Sequence, residues 1–175
     1  TNAYDERTMR IFDAGREFEN LIVKTIAMAG ILVSRGSRKR KNYVTMPQLP
    51  NCLKVWGYYD FIMGGKPDWE KAKKFIEAYK TVLDSIGFDF DDDMMLTKAQ
   101  ILIKHLQEEY GNNIIPNVVV DVKSVNSMAF WSHKNRDEDD NFKGYEHNKM
   151  QLVPYMLGIG SEKPGVIDMG RLMFI

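Results

Sequence analysis

Two charges sit two residues apart beside an apolar, β-branched run. Ile114 to Val122 carries Asp121 near its end, and Lys123 follows directly. A strand repeats every two residues, so Asp121 and Lys123 project from one face. A buried strand rarely holds two ionisable groups on one face without a partner or a purpose. Two readings stand side by side here: a structural Asp–Lys ion pair at a strand end, or the acid and the ammonium of a functional site. A further carboxylate, Asp60, falls in the strand-like stretch GYYDF. Gln151 and Tyr155 are four apart, so on a helix they share a face and can converge on a phosphate or a bound water. A half-buried Tyr with its hydroxyl satisfied accounts for the same pair equally simply. Glu19 lies one helical turn after Gly15, a residue without a side chain where another element can approach. The run Arg35, Arg38, Lys39, Arg40 and Lys41 puts five positive charges in seven residues, a set suited to phosphate contacts or to a solvated loop.

Other chemistries lose their residues on inspection. The single cysteine, Cys52, excludes an internal disulfide framework and a cysteine-rich zinc or iron–sulfur site. The acidic stretch from Asp89 to Asp93 lacks the glycine and glutamate of a calcium-binding helix–loop–helix. His105, His133 and His147 share no zinc spacing, although His147 lies one turn before Gln151. No phosphate-binding loop of the GxxxxGK type is present, so the chain is not an ATP-driven motor by itself. Lys and Arg number 24, and Asp and Glu number 24, so bulk positive charge does not hold a polyanion and any such contact must be local.

These residues need elements to position them. The chain of 175 residues is long enough for one domain with a real core, and 44% hydrophobic with 27% charged residues is a globular mix. An apolar 3.6-residue period predicts a first helix over 5–33, with Gly15 and Gly30 as interior blemishes. The sequence SRGSRKRKN, 34–42, reads as a basic loop. Two short strands are expected within 51–63, bending near Gly57. A second helix is expected over 68–87, capped by Asp68 and ended by Gly87, and a third over 97–109 after an acidic loop. A buried strand over 114–122 has Pro116 near its start. Another strand is expected over 125–133, a helix over 145–157 that Pro154 must kink, and a last strand over 165–175. Helices flanking a mixed central sheet make an α/β or α+β sandwich in one domain.

The motifs come in a definite order: G-x-x-x-E (Gly15, Glu19) on the first helix, V-x-G-x-x-D (Val55, Gly57, Asp60) in a hairpin, V-V-D-x-K (Asp121, Lys123) on a buried strand, and Q-x-x-x-Y (Gln151, Tyr155) on a helix. In this order the chain resembles the RecB-like branch of the PD-(D/E)XK nuclease superfamily, which includes phage recombination exonucleases and CRISPR adaptation nucleases. The iron–sulfur subgroup, which uses four cysteines, does not fit a chain with one. The resemblance implies a restriction-endonuclease-like α/β core, a central mixed sheet flanked by helices, in a single domain over 1–175 with a helical insert over about 68–109.

It also implies roles. Asp60 and Asp121 would bind Mg²⁺ or Mn²⁺, hard cations that suit carboxylates, with the carbonyl of Val122 as a further ligand. Glu19 would be a metal ligand or stand just behind one. Lys123 would hold or help deprotonate the attacking water, and Gln151 and Tyr155 would orient water, lysine or phosphate. Arg35, Arg38, Lys39, Arg40 and Lys41 would contact DNA. The expected activity is metal-dependent hydrolysis of DNA phosphodiesters, as an exonuclease in recombination, repair or phage DNA processing. The alternative is a non-catalytic DNA-binding or assembly protein on the same scaffold, with a plain interaction domain as a third reading. Expected partners are DNA and either further copies of the chain or a recombination protein. No apolar run reaches a membrane span and no signal-peptide pattern opens the sequence, so the expected place is the cytoplasm of a bacterial or phage-infected cell.

Overall fold

The computed structural model describes residues 6–35, 42–44, 55–57, 59–85, 92–123, 150–157, 167 and 169–174. The expected strand over 125–133 lies outside them. The chain is of mixed α/β class and divides into two compact units. The first comprises residues 1–32 and 66–115, and the second 33–65 and 116–175.

The first unit is helical. Helix α1 spans Glu6–Met28 and buries Phe18, Leu21, Ile22, Thr25 and Ile26, a stripe at the spacing of one helix face. The hydroxyl of Thr25 would be costly there, but it donates to the carbonyl of Leu21 at 2.8 Å. The helix is shorter than the expected 5–33. Gly30 is no interior blemish: it takes φ 75°, and its N–H donates to the carbonyl of Ala27 while that of Ile31 reaches Ile26. This paired closure ends a helix through one left-handed residue, a conformation glycine adopts without steric cost. Nor does another element close on Gly15 among the described residues, since a Cβ there would meet nothing within 4 Å.

Helix α2, Trp69–Ser85, starts at the expected cap: Oδ1 of Asp68 accepts the N–H of Lys71 at 3.0 Å. The N–H of Asp68 donates in turn to the carbonyl of Ala29, tying this start to the end of α1. Helix α3, Asp92–Tyr110, begins earlier than expected, because Asp92 and Asp93 belong to its first turn and not to a loop. The three helices pack on one another through Trp69, Ala72 and Ile76 of α2 and Leu96, Ala99, Ile103 and Leu106 of α3. The indole N–H of Trp69 donates to the carbonyl of Gly111, so this buried ring carries no orphan donor.

The second unit is built on a four-stranded mixed sheet. Its strands are β1 (Leu32–Arg35), β4 (Phe61–Gly65), β5 (Ile115–Lys123) and β6 (Met169–Phe174), in the order β1-β4-β5-β6. Strands β2 (Asn42–Val44) and β3 (Val55–Gly57) form a separate antiparallel pair. Strand β1 replaces the start of the expected basic loop, because Leu32 and Val33 continue extended after the turn at Gly30. Strand β5 is internal, and Val118, Val119, Val120 and Asp121 are buried in succession, as expected of a strand covered on both faces. It runs parallel to β6, with Val119 opposite Gly170 and Asp121 opposite Leu172. A helix over 150–157, here α4, continues through Pro154. Leu152 of α4, Ile62 of β4 and Val119 of β5 form one buried cluster, with Leu172 of β6 packed against it.

Candidate active site

Asp121 is the buried charge among the described residues of this unit. Its side chain is 4% exposed, on a strand whose neighbours in sequence are valines. Nζ of Lys123 stands 2.8 Å from its Oδ2, and the Lys123 side chain is 28% exposed. The two charges therefore share a face, as the two-residue period requires, and the part-exposed lysine brings its ammonium to the buried acid. The contact is close but not directed, since Oδ2 receives no hydrogen bond of acceptable geometry among the described residues. Coulomb attraction to the ammonium compensates the buried carboxylate.

Asp60 is fastened beside it. It lies at a bend just before β4, and its N–H donates to the carbonyl of Val120 at 3.1 Å. Its Oδ2 accepts the N–H of Val122 at 2.5 Å. The two bonds grip the residues on either side of Asp121. The side chain of Asp60 thus takes the place of a strand carbonyl in the ladder, and the bend brings its carboxylate to the strand that holds the second acid. A charge-assisted bond of this kind is stronger than a neutral one and fixes the carboxylate's direction.

Helix α4 closes the same face. Val119 lies two residues before Asp121 and so points with it, and Leu152, Tyr155 and Met156 of α4 gather over the Val119 cluster. Gly170 lets the helix approach, for a Cβ there would stand 2.8 Å from Sδ of Met156 and 3.4 Å from Leu152. Tyr155 is half-buried against the cluster, while Gln151, one turn earlier, is exposed. Arg171 is opposite Val120 and shares the other face of the sheet.

The remaining expected site residues fall elsewhere. Glu19 is half-buried on α1 and belongs to the first unit, whereas Asp60, Asp121, Val122 and Lys123 belong to the second. Arg35 is exposed at the end of β1, on a strand and not in a loop. Arg38, Lys39, Arg40 and Lys41 lie outside the described residues, as does His147.

The sequence did not single out one pair on this face. Tyr59, the residue before Asp60, is packed against the Val119 cluster, and its hydroxyl meets that of Ser34 on β1 at 3.2 Å. The readable signal was its position beside the acid; its partner 25 residues away was not readable.

Whether a divalent cation fits can be judged from the donors. Among the described residues no three His, Cys, Asp or Glu side chains converge. Asp60 and Asp121 are hard oxygen donors from adjoining strands, and Oδ2 of Asp121 is buried without a directed hydrogen bond. Mg²⁺ keeps several waters and is commonly held by one or two carboxylates plus phosphate oxygens, so the residues present fit such an ion. No family model, curated protein or solved structure matches the chain.

Proposed function

We propose that the chain is a metal-dependent deoxyribonuclease of the PD-(D/E)XK type, acting as an exonuclease on DNA in recombination, repair or phage DNA processing. The observation that supports it most is the buried carboxylate of Asp121 with the Lys123 ammonium 2.8 Å from its Oδ2, on a strand gripped by Asp60. A charge is costly to bury and is kept where a partner or a function holds it.

In this reading Asp60, Asp121 and the carbonyl of Val122 would hold Mg²⁺ or Mn²⁺. When bound, the ion supplies a water of lowered pKa and offsets charge on the phosphate. The bond from Val122 to Asp60 fixes one ligand before substrate arrives, so little is lost in reorganisation. Lys123 is part-exposed with its ammonium against Asp121, and there it would hold the attacking water and a phosphate oxygen. Tyr155, seated on the apolar cluster, and Gln151 orient water or phosphate from the helix side. Arg35, Arg38, Lys39, Arg40 and Lys41 hold the DNA backbone by charge.

Two features favour a second reading, a DNA-binding or assembly protein that keeps the scaffold without catalysis. The Asp121–Lys123 contact and the Asp60–Val122 bond also make sense as structural closures of a strand end. Calorimetric titration of Mg²⁺ and Mn²⁺ into wild type and Asp121→Asn separates the two. The nuclease reading expects saturable binding by wild type and its loss in the variant. Equal heats in both proteins would remove the metal site.

A further inference from the structure

We propose that Tyr59, held by Ser34, is a substrate-positioning group that donates a hydrogen bond to a phosphate oxygen of the bound DNA strand. The inference rests on the nuclease reading above and extends it to two residues outside its motifs.

Three observations carry it. The first is place. Tyr59 packs on the cluster of Ile62, Val119 and Leu152, so it shares the sheet face of Asp121, and it directly precedes Asp60. The second is proton arithmetic. The hydroxyls of Ser34 and Tyr59 stand 3.2 Å apart, and either can be the donor. Each brings one O–H, so their mutual bond uses one proton and the pair keeps another to give away. Both residues are half-buried, which restricts the phenol's rotation while leaving a route outward.

The third is charge. Asp60 and Asp121 are both carboxylates, and the ammonium of Lys123 is already in contact with Asp121. A phosphodiester adds negative charge to that surface. A cation answers the charge at the acids, but the rest of the phosphate needs donors that do not themselves pair with carboxylates. A phenol fixed by a serine hydroxyl is such a donor: neutral, directional and seated on an apolar floor.

The test uses the full chain as wild type, Tyr59→Phe and Ser34→Ala, with a short labelled DNA oligonucleotide. Binding is measured in Ca²⁺ and cleavage in Mg²⁺. A hydrogen bond to a charged acceptor corresponds to roughly tenfold or more in affinity. Tyr59→Phe should raise Kd and KM by about that factor while kcat stays within about twofold, and Ser34→Ala should give a smaller rise of the same kind. Replacing single phosphates by neutral methylphosphonates should locate the contact. At one linkage the wild type loses affinity and Tyr59→Phe loses no more, a non-additivity that a packing role does not produce. Wild-type Kd and KM in Tyr59→Phe, with wild type cleaving normally, would overturn this inference alone. A loss confined to kcat would overturn the positioning role. A wild type that neither binds nor cleaves DNA would overturn the nuclease reading, and this inference with it.

Discussion

In the helical unit the buried side chains are apolar with one described exception, Thr25, whose hydroxyl bonds to a carbonyl one turn back in its own helix. In the sheet unit the described exception is Asp121, a carboxylate whose Oδ2 stands 2.8 Å from the ammonium of Lys123. The first exception is closed locally and asks for nothing further. The second is an arrangement that packing alone does not call for, since a valine at the same position would continue the run Val118, Val119, Val120. Stability accounts for the helical unit. The sheet unit spends part of its core on a charge, which is where a functional site is to be sought.

The contrast can be broken by exchanging what is measured. Asp121→Asn keeps the shape and removes the charge. It should reduce DNA cleavage in Mg²⁺ to background while the thermal midpoint stays near that of wild type, because the desolvation of a carboxylate is relieved as its ion pair is lost. The mirror experiment is Ile103→Ala in α3, at a site 1% exposed. Truncating such a side chain costs about 2–5 kcal/mol, so denaturant unfolding should shift strongly while kcat of the folded fraction is unchanged. If Ile103→Ala lowered kcat and Asp121→Asn only lowered stability, the division of labour would be reversed.

Lys123→Ala sharpens the same comparison. The variant should bind DNA nearly as wild type but turn over roughly 10²-fold more slowly, because a group that steadies developing charge acts mainly in the transition state. Steady-state kinetics at saturating DNA distinguish this from a phosphate anchor, whose loss would raise KM and spare kcat.

A smaller effect is expected from the basic segment between β1 and β2. Replacing Arg38, Lys39, Arg40 and Lys41 by Ser should flatten the dependence of log affinity on log salt by roughly 0.7 per lost contact on single strands and 0.9 on duplex. Metal affinity should not change, and an unchanged salt slope would put the DNA path elsewhere. The smallest effect belongs to the helical unit again. Asp68→Ala removes the cap on α2 and should cost about 1 kcal/mol in denaturant unfolding without altering cleavage.

What the sequence disclosed follows the same line. Local signals were legible: the Asp68 cap, the apolar period of α2, and the shared face of Asp121 and Lys123, which follows from a two-residue repeat. Signals that depend on context were misread. Gly30 sits in an apolar pattern and looks like a flaw until the closing bonds to Ile26 and Ala27 are seen. Leu32 and Val33 fit the apolar period of a longer helix, and Arg35 fits a basic loop, because four residues are too few to show a strand period. Asp92 and Asp93 read as loop because acids favour both loops and first turns. The bond from Val122 to Asp60 spans 62 residues, and no spacing rule announces it.

Cleavage of linear and circular DNA by wild type and Asp121→Asn, in Mg²⁺ and in Ca²⁺, tests the central claim most directly. Ca²⁺ accepts the same carboxylates at longer range and with looser geometry, so it should support binding without chemistry. The account predicts that wild type degrades linear DNA from its ends in Mg²⁺, binds it intact in Ca²⁺ and spares the circle, while Asp121→Asn cleaves nothing in either ion. Degradation by Asp121→Asn at the wild-type rate, or intact DNA with wild type in Mg²⁺ and Mn²⁺ alike, would contradict it.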